Sequence, residues 1–335
     1  MVIYMDPELS KAYGCLLGVA IGDAMGAPTT FMTPEEIREK YGFVREFIEP
    51  PKDHPIHGGL KAGQVTDDTE MTLLLADSII KCGGIKVECY VKHLLKWVEE
   101  KNILQTEYLG PSTRNALIKL LHGASIEEAG KFGTTNGAAM KISPIGIVDR
   151  RKPDKTIRDV YEVSLPTHGT NVAISAAAAV ACAISVAFHE DVDIEKIVNA
   201  ALYGAHEGTK LGFRYPAASV EKRMLLALKL VEKANSIEEI CNTLYDYIGT
   251  GVVANESIPS AIAIVKVAGD DPLNAITLAV NCGGDSDTVA SIVGAIVGAI
   301  HGAKAFPTSL VNTVEEVNNL KLKEVAEKLL SIRDE

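Results

Sequence analysis

Apolar residues recur at intervals of three and four along most of this chain, which is the pattern of amphipathic α-helices. In the segment 235–248, for example, Ile237, Ile240 and Leu244 fall on one helical face. Strand-like alternation is scarce, and the sequence shows neither a βαβ periodicity nor a tandem repeat of fixed period. We therefore predict an all-α fold, a compact orthogonal helical bundle that occupies residues 1–335 as a single domain. The predicted helices cover residues 8–26, 34–40, 69–82, 86–100, 112–121, 168–188, 193–206, 217–232, 235–248, 257–268, 271–280, 285–302 and 321–333.

Composition and charge narrow the class of protein. The net charge of −11 argues against an extended nucleic-acid-binding surface. The longest apolar run, residues 172–188, is too short and too rich in Ala and Ser for a membrane span, so we expect a buried central helix and no membrane partner. The N-terminus shows no basic region followed by an apolar stretch, so no signal peptide is predicted and a cytoplasmic location is expected.

The cysteines give no sign of a metal or disulfide framework. None of them belongs to a CxxC pair or to a Cys/His zinc spacing. We therefore expect reduced and mostly buried thiols, as is usual in the cytoplasm. The six residues are Cys15, Cys82, Cys89, Cys182, Cys241 and Cys282.

Two predicted helices carry glycines at a spacing of four, which places the glycines on one helix face. Such a face allows a second backbone to approach closely. Each interior glycine costs about 1 kcal/mol in helix propensity, so packing must compensate. We predict that the two helices are central and bring together the acidic groups at their ends, although plain core packing would leave the same pattern. The two series are Gly14, Gly18, Gly22 and Gly26, which flank Asp23, and Gly294, Gly298 and Gly302.

Two acidic clusters carry the candidate chemistry, TDDT at 66–69 and GDSDT at 284–288. Each is followed at once by an apolar helical run. If the clusters converge, four carboxylates face one space, and that much negative charge requires cations when it is buried. All-oxygen ligands of this kind suit hard cations such as Mg²⁺ or Mn²⁺. The sequence therefore predicts a metal-dependent enzyme.

Helix capping is the competing interpretation of both clusters. Thr and Asp are favoured N-caps, and acidic residues are favoured in the first helical turn. Two clusters that share the order of acidic residues, Thr and apolar helix favour a common site over two independent caps. The pattern argues against an EF-hand, because counting from Asp285 the sixth position is Ala290 rather than Gly and the twelfth is Ile296 rather than Glu.

Three loops are further candidates. Residues 48–64 form a long Pro/Gly/His segment that leads into the first acidic cluster, and such loops are often lids or binding loops; we predict that His54 and His57 are on the surface. Residues 133–146 offer hydrogen-bond donors followed by a glycine, although a turn that enters a helix is the competing interpretation. In the loop 167–171, a histidine stands before the Ala-rich run.

Several of these segments together resemble the ADP-ribosylglycohydrolases, the family of the dinitrogenase reductase-activating glycohydrolase. The joint presence of TDDT and GGDSDT is specific, whereas either motif alone would be weak. The resemblance implies a compact all-α fold around two Mg²⁺ or Mn²⁺ ions. It runs in order from Gly14 to Ala303 through GCLLGVAIGDAMGAP, GQVTDDTEMTLLLADSI, TNGAAMKISPIG, THGTN and NCGGDSDTVASIVGAIVGAIHGA.

The resemblance also implies roles for individual positions. It places the catalytic carboxylate among Asp67, Asp68 and Asp285, without deciding which of them accepts a proton. The implied metal ligands are Thr66, Asp67, Asp68, Asp285, Asp287 and Thr288. The resemblance, together with the polar and glycine positions next to its motifs, gives the expected substrate-binding residues. These are Asp23, Thr134, Thr135, Asn136, Gly137, Ala138, His168 and Gly284.

One position departs from the family pattern. Many relatives carry a glutamate where this chain has Thr30, and a threonine cannot act as a carboxylate ligand or base. Glu35 or Glu36 could reach inward instead. The departure leaves a metal site plausible but puts the substrate and the rate in question.

The implied activity is metal-dependent hydrolysis of the glycosidic bond between ADP-ribose and an acceptor, either a protein side chain or a small molecule. Such cleavage passes through an oxocarbenium-like transition state, and two metals can orient the ribose and activate water. A non-catalytic, crystallin-like or ADP-ribose-binding relative is the first alternative, and a dinuclear phosphoesterase is the second. Retention of all four carboxylates favours an enzyme. The sequence indicates neither the acceptor linkage nor the oligomeric state.

Overall fold

Helices account for the regular structure of this protein, as the sequence pattern predicts. The computed structural model describes residues 5–105 and 109–332, and within them there is no β-strand beyond two isolated bridges. A π-helical turn, Leu244–Ile248, continues the thirteenth α-helix. The α-helices are α1 (Pro7–Gly26), α2 (Pro34–Tyr41), α3 (Asp67–Cys82), α4 (Val87–Lys101), α5 (Pro111–Leu121), α6 (Ile126–Gly130), α7 (Gly137–Met140), α8 (Ser143–Val148), α9 (Pro153–His168), α10 (Asn171–Ala187), α11 (Ile194–Gly208), α12 (Val220–Val231), α13 (Ile237–Thr243), α14 (Ala254–Ala268), α15 (Pro272–Asn281), α16 (Ser286–His301), α17 (Thr308–Asn318) and α18 (Leu322–Leu330).

Each helix predicted from the sequence is present, with ends that differ by a few residues; residue 333, the last of the predicted helix 321–333, lies outside the described residues. Two long helices, α9 and α17, are not predicted. In α9, Pro153 opens the helix and Pro166 lies in its last turn, so its sequence resembles that of a loop. In α17, Val, Thr and Asn have low helix propensity, and burial of Val314 helps to hold the helix in place.

The glycine faces of α1 and α16 pack directly against each other, which confirms the predicted central pair. A Cβ on Gly18 would collide with the carbonyl of Gly294, and a Cβ on Gly14 would collide with the carbonyl of Gly298. The helices run antiparallel, so the C-terminal end of α1 meets the N-terminal end of α16. At that end a Cβ on Gly26 would lie 2.5 Å from the carbonyl oxygen of Ser286. This packing brings the TDDT and GDSDT regions towards one end of the helix pair.

The Ala-rich helix α10 is buried along nearly its whole length, as predicted. Small side chains allow α11 to approach its backbone, because a Cβ on Gly204 would collide with the carbonyl of Ala178. One continuous apolar core extends from α1 to α18.

In the described part of the chain, no single helix is long and apolar enough to cross a membrane. One pair of helical segments, Pro7–Thr29 and Pro34–Tyr41, meets the length and composition criteria only when both are counted together, and the pair is bent by 85°.

The cysteine prediction is wrong for one pair. Cys82 at the end of α3 and Cys89 in α4 form a disulfide across the turn between the two helices. Spacing rules missed it because the helix–turn–helix geometry, rather than a short motif, brings the two side chains together. The other four cysteines are buried free thiols, as predicted.

The long connection between α2 and α3, residues 42–66, is held at both ends by asparagines from distant helices. Asn281 donates to the carbonyl of Val44 (2.8 Å) and accepts from its amide (2.9 Å). Asn318 donates to the carbonyl of Gly63 (2.7 Å) and accepts from the amide of Val65 (3.0 Å). These contacts fix the approach of the chain to the first acidic cluster.

Candidate metal centre and substrate cavity

A cavity of about 240 Å³ lies where the N-terminal ends of α3, α7 and α16 meet. Both acidic clusters and part of the 133–146 loop contribute to its wall, so the structure brings together segments that are far apart in sequence. The exposed side chains of Phe31 and Ile56 also line the cavity. Phe31 has a positive φ of 65°, an uncommon conformation for a bulky residue and one that often marks functional sites. The predicted site residues on the wall are Asp67, Asp68, Thr135, Asn136, Gly137, Asp285, Asp287 and Thr288.

Asp68 is a buried carboxylate with an unsatisfied oxygen. Its side chain is only 2% exposed, and Oδ2 accepts a hydrogen bond from Thr288 Oγ1 at 3.2 Å. In the described chain, Oδ1 has no hydrogen-bond partner. Burial, followed by the charges of Asp287 and Asp23, raises the pKa of Asp68 well above its usual value. The same causes raise the pKa of Asp67, which is partly exposed.

The carboxylates of the second cluster are held by side chains from other elements. Asp285 stands at the N-cap of α16, but its side chain makes no capping bond; Oδ2 instead accepts from Asn136 Nδ2 at 2.5 Å. Burial and the charge of Asp287 raise the pKa of Asp285 to about 7. Asp287 Oδ1 accepts from the amide of Thr288 at 2.9 Å. Capping therefore does not account for Asp285, and in the first cluster the cap of α3 is Thr66.

Asp23 lies behind the cavity wall, which differs from its predicted contact with substrate. The side chain is fully buried and accepts hydrogen bonds from the backbone amides and hydroxyls of Thr66 and Thr69. Burial raises its pKa to about 6, against the lowering effect of these hydrogen bonds. Asp23 therefore joins α1 to the first turn of α3 and orients the TDDT segment.

His57 is the functional candidate that the sequence did not identify, and its predicted surface position is wrong. The side chain is only 5% exposed, and Nε2 lies 2.8 Å from Asp287 Oδ2. His54 stacks against it, with ring centroids 5.2 Å apart, and His54 Nε2 contacts the carbonyl of Thr30 at 2.9 Å. Although burial opposes protonation, the hydrogen bond and charge of Asp287 raise the pKa of His57, and the same contact lowers the pKa of Asp287. No local signal in the sequence indicates this contact, because 230 residues separate the two side chains.

Thr30 does not project into the cavity as a substitute for a carboxylate. It is buried beneath the start of α16, where Oγ1 donates to the carbonyl of Gly26 (3.2 Å) and accepts from the amide of Asp287 (3.3 Å). Glu36 caps its own helix through the amide of Thr33 at 2.7 Å, and Glu35 is exposed. The suggestion that one of these glutamates reaches inward is therefore wrong.

Besides Asp23, four more predicted substrate-binding residues lie outside the cavity wall: Thr134, Ala138, His168 and Gly284. Thr134 accepts from the amide of Ala254 at 3.1 Å, and Ala138 is fully buried. His168 is buried behind Thr135, whose Oγ1 lies 3.0 Å from His168 Nε2. Gly284 adopts a φ of 73° and accepts from the amide of Phe31 at 2.6 Å. These residues shape the wall from behind.

The donor set fits hard divalent cations. Four carboxylates and the hydroxyl of Thr288 are oxygen ligands of the type that Mg²⁺ and Mn²⁺ prefer. The orphaned Asp68 Oδ1 is costly unless a cation or water satisfies it. Across the described residues, no three of the carboxylates offer oxygens within 4.8 Å of one another. They therefore surround the cavity rather than one point, which suits ions that retain water ligands.

Comparison with known proteins identifies the family to which this chain belongs. The family model described as ADP-ribosylglycohydrolase matches residues 5–335. The chain therefore belongs to the ADP-ribosylglycohydrolase family, as the sequence motifs predict.

Individual relatives match over most of the chain. The uncharacterized protein YegU of Escherichia coli (strain K12) is 33% identical over 330 residues, which are 98% of this chain and 98% of that protein. The ADP-ribosylarginine hydrolase Tri1 of Serratia proteamaculans is 28% identical. The match covers 93% of this chain and 78% of the Serratia protein. A solved structure titled ADP-ribosylglycohydrolase-related protein complex superposes with a TM-score of 0.72 at 23% identity, over 98% of this chain and 99% of that chain. This structural similarity confirms the fold.

Proposed function

We propose that this protein is a Mg²⁺- or Mn²⁺-dependent hydrolase that cleaves the glycosidic bond between ADP-ribose and an acceptor. The observation that carries the proposal is the meeting of the two acidic clusters around one cavity, with the buried Asp68 Oδ1 left without a partner. Membership of the ADP-ribosylglycohydrolase family supports the same reaction class. Retention of all four carboxylates supports an enzyme over a non-catalytic relative.

Some residues of the site would bind the cations, and others hold the cation-binding carboxylates in position. Asp67, Asp68, Asp285 and Asp287 would hold the cations, with the hydroxyl of Thr288 as a further ligand. Thr66, also predicted as a ligand, does not line the cavity, and its hydroxyl donates to Asp23 Oδ1 at 2.8 Å instead. Bound cations would supply the positive charge needed to orient ribose hydroxyls and to activate a nucleophile. Asn136 fixes one oxygen of Asp285, and His57 fixes one oxygen of Asp287. These fixed oxygens reduce the reorganisation required as charge develops during the reaction.

The proton acceptor is best assigned to Asp67. Glycosidic cleavage at the ribose requires a carboxylate that takes a proton from the attacking water as the oxocarbenium-like transition state collapses. Of the four cavity carboxylates, Asp67 is partly exposed, whereas Asp68, Asp285 and Asp287 are buried. Water in the cavity can therefore reach Asp67 most readily.

The acceptor side of the substrate would lie near the exposed edge of the cavity. Phe31 is 51% exposed at this edge and offers an apolar surface to a leaving group or to a modified protein. Because the Serratia relative is named an ADP-ribosylarginine hydrolase, arginine-linked ADP-ribose is the first conjugate to test. A protein side chain or a small molecule could carry this linkage.

The test is chromatographic measurement of ADP-ribose released from arginine-linked, serine-linked and small-molecule conjugates, with Mg²⁺ or Mn²⁺ and with EDTA. The proposal predicts release from at least one conjugate, loss of release in EDTA and recovery after cation is restored. Phosphate release without ribose release would instead indicate a phosphoesterase. Binding of ADP-ribose without any release would indicate a non-catalytic relative.

A further inference from the structure

Lys141 is a buried cation that the proposed chemistry leaves without a role. Its side chain is 0% exposed, at the C-terminal end of the short helix α7. Nζ donates to the carbonyl of Gly137 at 2.9 Å and to Thr167 Oγ1 at 3.3 Å. The ring of Tyr90 lies beneath it, with its centroid 6.0 Å from Nζ. These contacts satisfy the hydrogen-bonding capacity of the ammonium group only in part.

No carboxylate pairs with Lys141 in the part of the chain that the structure describes. Burial of an unpaired ammonium group is costly, and fully buried lysines are rare unless they are paired. The cost is evident in the pKa of Lys141, which burial lowers to about 7. A protein with a net charge of −11 has many carboxylates available for pairing, yet none lies at this position. Lys141 therefore does not stabilise the fold through an ion pair.

Two routes connect Lys141 to the cavity wall. The first is direct, because Gly137, whose carbonyl accepts from Nζ, lines the cavity. The second is a chain of hydrogen-bonding contacts: Thr167 Oγ1 lies 2.8 Å from His168 Nδ1, and His168 Nε2 lies 3.0 Å from Thr135 Oγ1. Thr135 also lines the cavity. Within a low-dielectric interior, polarisation along such contacts strengthens the terminal donors.

The cavity itself lacks positive charge. Its wall contains four carboxylates, and among its described lining residues there is neither a lysine nor an arginine. Two divalent cations would only balance the four carboxylates, so the diphosphate of an ADP-ribosyl group would still lack a compensating positive charge. The nearest buried side-chain charge of the required sign behind the Thr135–Gly137 part of the wall is Lys141.

We propose that Lys141 supplies the positive charge that compensates the substrate diphosphate, as a positioning residue that acts through Gly137 and through the Thr167–His168–Thr135 contacts. This inference rests on the proposed function and adds a determinant of its substrate class. Lys141 favours ligands that carry a diphosphate over an uncharged nucleoside.

The experiment compares ADP-ribose with adenosine as ligands, by isothermal titration calorimetry in the presence of Mn²⁺ at about pH 6, below the pKa of Lys141. Lys141→Met removes the charge and keeps most of the volume, whereas Lys141→Arg keeps the charge. One charge acting across a partly hydrated cavity predicts about a tenfold loss of ADP-ribose affinity in Lys141→Met. Adenosine affinity should change less than about twofold, since adenosine carries no charge for Lys141 to attract. Lys141→Arg should retain most of the preference for ADP-ribose.

Other results would overturn the inference in distinguishable ways. Unchanged ADP-ribose affinity in Lys141→Met, or equal loss for ADP-ribose and adenosine, would give Lys141 a merely structural role. If circular dichroism shows that the Met variant does not fold, Lys141→Gln provides the same neutral comparison. Failure of the wild-type protein to bind ADP-ribose would instead overturn the proposed function, and the Lys141 assignment with it.

Discussion

Without bound cations, the buried carboxylates should make this protein less stable as the pH rises. Burial and the charge of Asp287 raise the pKa of Asp285 to about 7 in the folded chain, whereas an unfolded aspartate has a pKa of about 3.9. Between these values the folded state keeps a proton that the unfolded state has lost, so the free energy of unfolding falls with rising pH. At 1.36 kcal/mol per pH unit, a difference of about three units corresponds to about 4 kcal/mol.

Other buried carboxylates in and behind the cavity wall also change the dependence of stability on pH. The raised pKa values of Asp23, Asp67 and Asp68 act in the same direction as that of Asp285. The pKa of Asp287 is lowered through His57, so its contribution belongs to more acidic conditions, below the interval in question. Bound cations should reverse the trend, because they favour the ionised carboxylates.

The assay is urea unfolding at pH 5 and pH 7.5, in EDTA and in Mn²⁺. In EDTA the wild-type protein should lose several kcal/mol between the two pH values, and the stabilisation by Mn²⁺ should be larger at pH 7.5. Asp285→Asn should reduce the EDTA slope, whereas Glu190→Gln, which changes an exposed acid, should leave it intact. A flat wild-type slope, or an unchanged slope in Asp285→Asn, would refute the reasoning.

Two further predictions concern the support of the site and the helix pair beneath it. His57→Ala should weaken Mn²⁺ binding by roughly tenfold, and His57→Gln by less, because the hydrogen bond from His57 orients the Asp287 carboxylate. Equal Mn²⁺ affinities by calorimetry in the wild type and both variants would exclude this role. Gly18→Ala should destabilise the fold by roughly 1–3 kcal/mol, because the added Cβ would collide with the carbonyl of Gly294. The control is Gly110→Ala, whose added Cβ has open space around it and should have little effect on the unfolding midpoint. A rise in stability of Gly18→Ala, as helix propensity alone would give, would contradict the close packing.

Local patterns in the sequence predict most of the helices and the central pair. Helical periodicity and the four-residue glycine spacing depend only on neighbouring residues, so they can be read before the fold is known. Helix α9 was not predicted because its prolines imitate loop signals, although Pro153 is favourable at a helix start and Pro166 falls in the last turn. Local sequence patterns therefore predict poorly a helix that carries prolines near both of its ends.

The site was predicted in its acidic part and missed in its supporting part. The motifs around Asp68 and Asp285 are distinctive, and the structure brings both to one cavity. The contact between His57 and Asp287, and the burial of Lys141 behind Gly137, depend on the arrangement of separate helices. No periodicity or motif within either segment encodes such contacts, so they required the structure.

The most direct test of the account is the rate of ADP-ribose release by wild-type protein and by Asp68→Asn at the same Mn²⁺ concentration, with Mn²⁺ affinity measured on both. The account predicts metal-dependent release by the wild type and a decrease of at least about a hundredfold in the variant, together with weaker Mn²⁺ binding, because it assigns Asp68 as a metal ligand. Equal release rates and equal Mn²⁺ affinities in two folded proteins would contradict the assignment of the acidic clusters as the metal-dependent catalytic centre.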